Sequence, residues 1–134
     1  MSDYNDQIIA EFRANAGQVG GGFAGAPLLL LHSTGARTGA ERISPMMYLK
    51  VDGGWAVFAS KGGAPDNPAW YHNLLAHPQV SAEIGTETVP VTAREAVGEE
   101  RTPIWEEQKR LYPGFADYER KTSRTIPVII LEPR

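Results

Sequence analysis

A mostly antiparallel β-barrel with peripheral helices, of the α+β class, is the architecture this sequence predicts. Three observations predict it. About six short β-type runs occur along the chain, most joined by tight turns, with helical patterns inserted between some of them. Strands and helices do not alternate as βαβ units, which argues against a parallel doubly wound sheet. A chain of 134 residues with 42% hydrophobic content can bury one real core, and an antiparallel sheet of that size loses its exposed edges by closing on itself. No internal repeat and no linker-like break divides the chain. The expected organisation is one domain over residues 1–134, with 1–25 as an N-terminal helix and glycine-rich linker.

The first element is a helix of roughly Tyr4 to Ala14, capped by Asp3, whose Tyr4, Ile8 and Phe12 recur at i, i+4 and i+8 and make one apolar face. Gly17 to Gly25 reads as a mobile glycine-rich loop. Leu28 to His32 is a buried strand. The polar, twice-glycine connection from Ser33 to Arg42 leads to a second strand, Ile43 to Val51, and Asp52-Gly53-Gly54 turns it into a third, Trp55 to Ser60. Asn67 is an N-cap type and Pro68 suits a first helical position, so a helix runs to about Ala76, where His77-Pro78 disfavours continuation. Strands Gln79 to Ile84 and Thr88 to Ala96 follow, joined around Gly85-Thr86. Helical sequence from about Glu99 to Leu111 has acids at its start and bases at its end, matching the helix dipole, and Pro113-Gly114 stops it. A short helical or turn segment carries Phe115 and Tyr118, and Ile126 to Leu131 is the final strand.

Composition removes several function classes. A formal net charge of −3 speaks against a nucleic-acid protein that relies on a general basic field, so any anion must be held by a local cation cluster. With no cysteine, disulfides, thiolate catalysis and cysteine-ligated metals are excluded, and cytoplasmic residence is compatible. The acidic start Met-Ser-Asp-Tyr-Asn-Asp is unlike a signal peptide, and the longest strongly apolar run, Leu28 to Leu31, is too short to span a bilayer. The polar face of the first helix sets Asp6 and Glu11 against Arg13, which is not the basic face of a membrane-surface helix.

Two stretches carry candidate chemistry. From Phe58 to Asn73 a strand ends, a turn with Lys61, Gly62 and Gly63 follows, and a helix begins. A cation, bared backbone N–H groups and a helix N-terminus together are a recipe for holding an anion, and Trp70 and Tyr71 on the first turns are placed to wall an aromatic ligand. The bland reading is a surface turn with a solvated lysine. Arg37 and Arg42, in the loop after the first strand, join Lys61 if strands one to three are neighbours; arginine forks suit phosphate and carboxylate, and backbone around Gly35 and Gly39 can add a nest. Here the bland reading is a hairpin tip made soluble by charge.

Other motifs point nowhere. Gly20-Gly21-Gly22-Phe23-Ala24-Gly25 is a literal G-x-G-x-x-G, but no strand precedes it and a strand, not a helix, follows. No metal site is expected, because His72 and His77 are five apart and no H-E-x-x-H exists; His32 reads as a hydrogen-bonded strand residue. There is no G-x-S-x-G nucleophile elbow and no paired carboxylate with acid/base geometry. Ser60 can donate a hydrogen bond to a ligand, though a strand-end serine usually satisfies backbone. Tyr112, Phe115 and Tyr118 suit either core or pocket lining. An anion-binding corner with an aromatic wall and no acid, base or nucleophile suggests that a cofactor supplies the chemistry.

Thr34-Gly-Ala-Arg-Thr-Gly, then Ser60-Lys-Gly-Gly-Ala-Pro-Asp-Asn-Pro-Ala-Trp-Tyr-His-Asn-Leu, then Leu111-Tyr-Pro-Gly-Phe-Ala-Asp-Tyr, then Arg124-Thr-Ile-Pro-Val, resemble in order the deazaflavin-dependent nitroreductase family of actinobacteria. The resemblance covers about Gly17 to the C-terminus. It implies a six-stranded split β-barrel of the FMN-binding type and a cytoplasmic oxidoreductase. The implied cofactor is coenzyme F420, an 8-hydroxy-5-deazaflavin with a phosphodiester and a poly-γ-glutamate tail. Its reduced form passes hydride from C5 to a quinone, nitro compound or similar electrophile. By the same resemblance, Ala36, Arg37 and Thr38, with Arg42 following, hold the phosphate and acidic tail. Ile43, Ser44, Pro45, Met46 and Met47 line the deazaflavin. Phe58, Ala59, Ser60 and Lys61 meet the phosphate and ring edge, and Ala69, Trp70, Tyr71, His72 and Asn73 close the site. Tyr112, Phe115 and Tyr118 line the acceptor pocket. The candidates for polarising the acceptor are Ser60, Tyr112 or a backbone N–H. Phe115 stands where the best-known nitroreductase has a tyrosine, which counts against nitroimidazole activation. The expected partner is a small-molecule electron acceptor, with no nucleic acid and no transmembrane segment. Longer relatives carry an amphipathic lead that this sequence lacks, so any membrane contact is peripheral; split barrels of the flavin type often pair as homodimers. The competing readings are an FMN enzyme on the same barrel, a non-catalytic deazaflavin carrier, and a pure interaction module.

Overall fold

A computed structural model describes residues 3–19 and 27–134. Six strands close into a barrel, β1 (Leu28–Thr34), β2 (Glu41–Val51), β3 (Gly54–Phe58), β4 (Gln79–Ile84), β5 (Glu87–Ala96) and β6 (Val128–Pro133), in the order β1-β2-β3-β6-β5-β4. Every pairing is antiparallel, and β4 returns to β1 through Leu31 opposite Ala82. Closure leaves no unpaired edge, as the count of short strands predicts.

The barrel interior is filled by Leu29, Leu31, Val57, Val80, Ala82, Val91, Ile129 and Leu131. Alternate residues face outward and are covered by helices. Leu28 and Leu30 pack with Ile8 and Phe12 of α1 (Asp3–Ala14), while Ala56, Phe58, Val128 and Ile130 pack with Trp105 of α3 (Gly98–Leu111) and Phe115 of α4 (Gly114–Lys121). Burial on both faces is why Leu28 to Leu31 and Val128 to Leu131 read as continuous apolar runs without alternation. Helix α2 (Ala69–Ala76) contributes Leu74 to the barrel interior, with Trp70 and Tyr71 packed against the same cluster.

The structure corrects several sequence-based boundaries. Asp3 is the first residue of α1 and not a cap ahead of it. The G-x-G-x-x-G stretch lies outside the described residues. Strand β1 runs on to Thr34 and β2 starts at Glu41, because Thr34 pairs Glu41 and Ser33 pairs Arg42; Arg42 is therefore a strand residue. Strand β3 ends at Phe58, since Ser60 turns into helical backbone ahead of a single 3₁₀ turn at Lys61–Gly63. Strand β6 starts at Val128, after Pro127, which has no N–H for the ladder but accepts from Ala59 N–H at 3.0 Å. Asn67 does not cap α2. Pro68 holds the cap position in extended backbone with no side-chain cap, and the Asn67 side chain is taken by Arg124 at 2.6 Å. A charge-assisted bond to a guanidinium outcompetes a neutral cap.

Candidate functional site

The β1–β2 tip is a tight loop held by its own backbone. Gly35 N–H donates to Ala40 O at 2.7 Å, Gly39 N–H to Gly35 O at 2.9 Å, and Ala40 N–H to Thr38 Oγ1 at 3.2 Å. Helix α2 latches this loop through Asn73, whose Oδ1 accepts from Ala36 N–H at 3.0 Å and whose Nδ2 lies 3.4 Å from Ser33 Oγ. Asn73 and Ser33 are buried while Ala36 is exposed on the loop, so the bond from Ala36 N–H ties the exposed tip to the buried side chain of the helix.

Between the loop and α2 lies a cavity of about 630 Å³. The loop side supplies Gly35, Ala36, Arg37 and Thr38, β2 supplies Arg42 and Ser44, and α2 supplies Ala69, Trp70, His72 and Asn73. The volume suits a cofactor-sized ligand. Loop, strand and helix N-terminal turn, far apart in sequence, thus face one another.

The electrostatics of this cavity stand apart from the rest of the surface. Arg13, Arg94, Arg110 and Arg120 pair with Glu83, Glu100, Glu107 and Asp117, and Lys61 and Lys109 also pair with carboxylates. Arg101, Arg124, Arg134 and Lys50 donate to backbone carbonyls, and Lys121 lies over the Tyr118 ring. Among the described residues, Arg37 and Arg42 alone among the cations have neither an ion pair, a hydrogen bond nor a ring contact. Two unpaired guanidiniums on one cavity, in a chain with more acids than bases, make a local anion site. The first turn of α2, at Ala69 and Trp70, adds the positive end of the helix dipole.

The remaining residues singled out from sequence lie outside this lining. Ile43 and Met47 pack against the α1 cluster, Met46 against the barrel interior, and Pro45 pairs Leu30 within the sheet. Tyr71 points to β5, where its hydroxyl donates to Glu95 at 2.8 Å; burial and the Glu95 carboxylate push the phenol up to about 12. Ala59 and Ser60 are buried, and Lys61 is half-exposed, pairs with Asp66 at 3.3 Å and is not part of the cavity lining. Phe115 is buried edge-on to Phe58, Trp105 and Tyr118, with ring centroids 5.8, 6.2 and 5.2 Å apart, and Tyr112 packs on the same cluster. His32 bridges two carboxylates on another face of the hairpin, at 2.9 Å from Glu41 and 2.6 Å from Glu83. Gly35, whose backbone the sequence offered as part of a nest, is in the lining, whereas Ser33 behind it did not stand out as a site residue in the sequence. Nor did Arg124, because its partners lie 57 to 65 residues away.

Comparison with known proteins identifies the family. The family model described as "F420H(2)-dependent quinone reductase" matches residues 6–133. The chain is 36% identical over 129 residues to an F420H(2)-dependent quinone reductase of Mycobacterium tuberculosis, covering 93% of this chain and 87% of that one. A solved structure of an F420-H2 dependent reductase (FDR-A) superposes with a TM-score of 0.72 at 45% identity, over 79% of this chain and 94% of that one. A second, described as a domain-swapped dimer, superposes with a TM-score of 0.74 at 40% identity, over 96% and 95%.

Proposed function

This chain belongs to the F420H(2)-dependent quinone reductase family, and we propose that the Arg37–Arg42 cavity is where it holds the anionic portion of coenzyme F420. The carrying observation is the pair of guanidiniums, Arg37 on the loop and Arg42 on β2, that line one cavity with no partner among the described residues. A phosphodiester and a chain of carboxylates match that donor set, because each presents paired oxygens to an arginine fork. Thr38 and Ser44 add hydroxyl donors, and Trp70 with His72 adds aromatic rings to the wall.

When bound in its reduced form, the coenzyme supplies a hydride, and a quinone that takes the hydride and one proton leaves as the quinol. The chain's own part is to bind and orient. Asn73 holds the β1–β2 loop against α2 so that Arg37 and Arg42 keep their spacing; positioning of this kind is where such a protein lowers a barrier. Ser60 and Tyr112 are assigned as hydrogen-bond donors to the acceptor, and Tyr112, Phe115 and Tyr118 as the apolar side of its pocket. The acceptor class is a quinone, with nitroimidazoles disfavoured by the missing hydroxyl at Phe115. A homodimer is assigned from the domain-swapped relative, and among the described residues no helix is long and apolar enough to cross a membrane.

The test is a fluorescence titration of the purified chain with oxidised F420, with FMN in parallel. The expected result is salt-sensitive F420 binding, no FMN binding, and a loss of about tenfold for each of Arg37→Ala and Arg42→Ala, as one charge-assisted hydrogen bond implies. Unchanged F420 affinity in the double variant refutes the assignment of this cavity.

A further inference from the structure

Arg124 stands in the connection between α4 and β6, yet its side chain works on a segment some 60 residues earlier. Its Nε donates to Ala64 O at 3.0 Å, Nη1 to Ala59 O at 3.1 Å and to Asn67 Oδ1 at 2.6 Å, and Nη2 to Ser60 O at 2.9 Å. One guanidinium thus gathers three backbone carbonyls and one amide from both ends of the segment 59–67. That segment begins where β3 stops and ends at Asn67, just ahead of Pro68, the residue before α2.

The segment it holds is not relaxed. Lys61 has φ +49, a left-handed conformation that L side chains rarely adopt, and Gly63 has φ +86. A Cβ at Gly63 would stand 2.9 Å from Tyr118 O and 2.9 Å from the Lys121 Cβ, so the turn lies flush on α4 and only glycine fits. Such a backbone persists when its surroundings over-determine it. Arg124 supplies four of those restraints. It also recruits the Asn67 side chain, which leaves α2 starting from Pro68 with no side-chain cap.

We propose that Arg124 is a positioning residue for the cofactor cavity, acting through Ala64, Asn67 and Pro68 on the first turn of α2. Ala69 and Trp70, directly after Pro68, are cavity wall. Asn73, one turn on, is the latch that fixes the Arg37 loop. The guanidinium therefore sets where the wall, the helix N-terminus and the latch stand relative to Arg37 and Arg42. The same turn touches α4 at Tyr118 and Lys121, which ties the cofactor wall to the helix that carries Phe115 and Tyr118. This assignment rests on the reading of the cavity as the F420 site.

The experiment compares Arg124→Met, Arg124→Lys and Asn67→Ala with the wild-type chain. The readouts are melting temperature, F420 dissociation constant of the folded protein, and that constant again with millimolar guanidinium or an equal amount of sodium chloride. The expected result is about tenfold weaker F420 binding in Arg124→Met. Arg124→Lys falls nearly as far, because one ammonium cannot serve four acceptors spread around a planar fork. Asn67→Ala, which keeps the guanidinium and loses one of its four partners, shows a smaller loss and carries the test if the Arg124 variants do not fold. Guanidinium restores binding to Arg124→Met and sodium does not. A clamp with only a structural role lowers the melting temperature but leaves F420 affinity per folded molecule unchanged and unrescued in every variant; that result overturns the proposal while the F420 reading stands. A wild-type chain that binds no F420 overturns both.

Discussion

Asn73→Leu removes one acceptor and one donor from a buried side chain while keeping the branching and the number of side-chain heavy atoms. The acceptor is the larger loss: Ala36 N–H, now 3.0 Å from Oδ1, loses that partner. Ala36 is exposed on the cavity rim, so water can take the place of the lost acceptor and the cost is that of one net hydrogen bond, about 0.5–1.5 kcal/mol, whereas the 3.4 Å contact to Ser33 is long and contributes little. We therefore expect about 1 kcal/mol of lost stability in urea unfolding, and about tenfold weaker F420 binding as the loop that carries Arg37 loosens. Asn73→Asp separates the two effects. Its carboxylate still accepts from Ala36 N–H and can accept from the Ser33 hydroxyl, so stability stays near wild type. The added negative charge sits on the anion cavity, where a like charge about 8 Å from a bound anion costs about 2 kcal/mol at an effective dielectric near 20. F420 affinity then falls by about thirtyfold and the loss shrinks in high salt. An Asn73→Leu protein as stable as wild type refutes the latch. An Asn73→Asp protein that binds F420 normally shows that the anion lies elsewhere.

Three further outcomes follow from the same coordinates. His32 titrates above its ordinary value of 6.5: burial opposes the charged ring, but bonds to Glu41 and Glu83 outweigh it, while Arg13, ahead of His32 in effect and against some burial, holds Glu83 below 4.5. The His32 contribution is complete below pH 6.5 and vanishes as pH rises through the raised value; that of Glu83 is complete above pH 4.5 and vanishes as pH falls. The melting-temperature gap between wild type and His32→Gln is thus widest between those limits, and a gap that grows above neutral pH contradicts the bridge. Glu119 accepts from the buried Trp105 indole N–H at 2.8 Å, so Glu119→Leu costs about 1–3 kcal/mol and Glu119→Gln little; equal urea midpoints for the two rule this out. Phe115→Tyr restores a hydroxyl to the aromatic cluster and is expected to raise F420H2 oxidation by a nitroimidazole relative to a quinone, and an unchanged ratio removes Phe115 as the specificity residue.

Much of the barrel was legible because its signals are local. β-Branched and leucine runs, the Asp52-Gly53-Gly54 and Gly85-Thr86 turns, and the stop at Pro113-Gly114 each depend on a few neighbouring residues. Misplaced boundaries occur where a distant partner decides. Strand β6 waits for Val128 because Pro127 cannot donate, Arg42 joins β2 because Ser33 is opposite, and Asn67 gives up its cap to Arg124.

The sequence by itself determined the six strands and their antiparallel sense, the absence of thiol chemistry, and a set of motifs ordered like those of deazaflavin reductases. Only the tertiary structure decided which cations are left to bind an anion. Lys61, Arg37 and Arg42 look alike in sequence, yet Lys61 finds Asp66 while the two arginines find no partner among the described residues. Whether a charge is neutralised depends on which carboxylate or carbonyl the fold brings within about 3 Å, and that distance is set by register and helix packing rather than by neighbours along the chain.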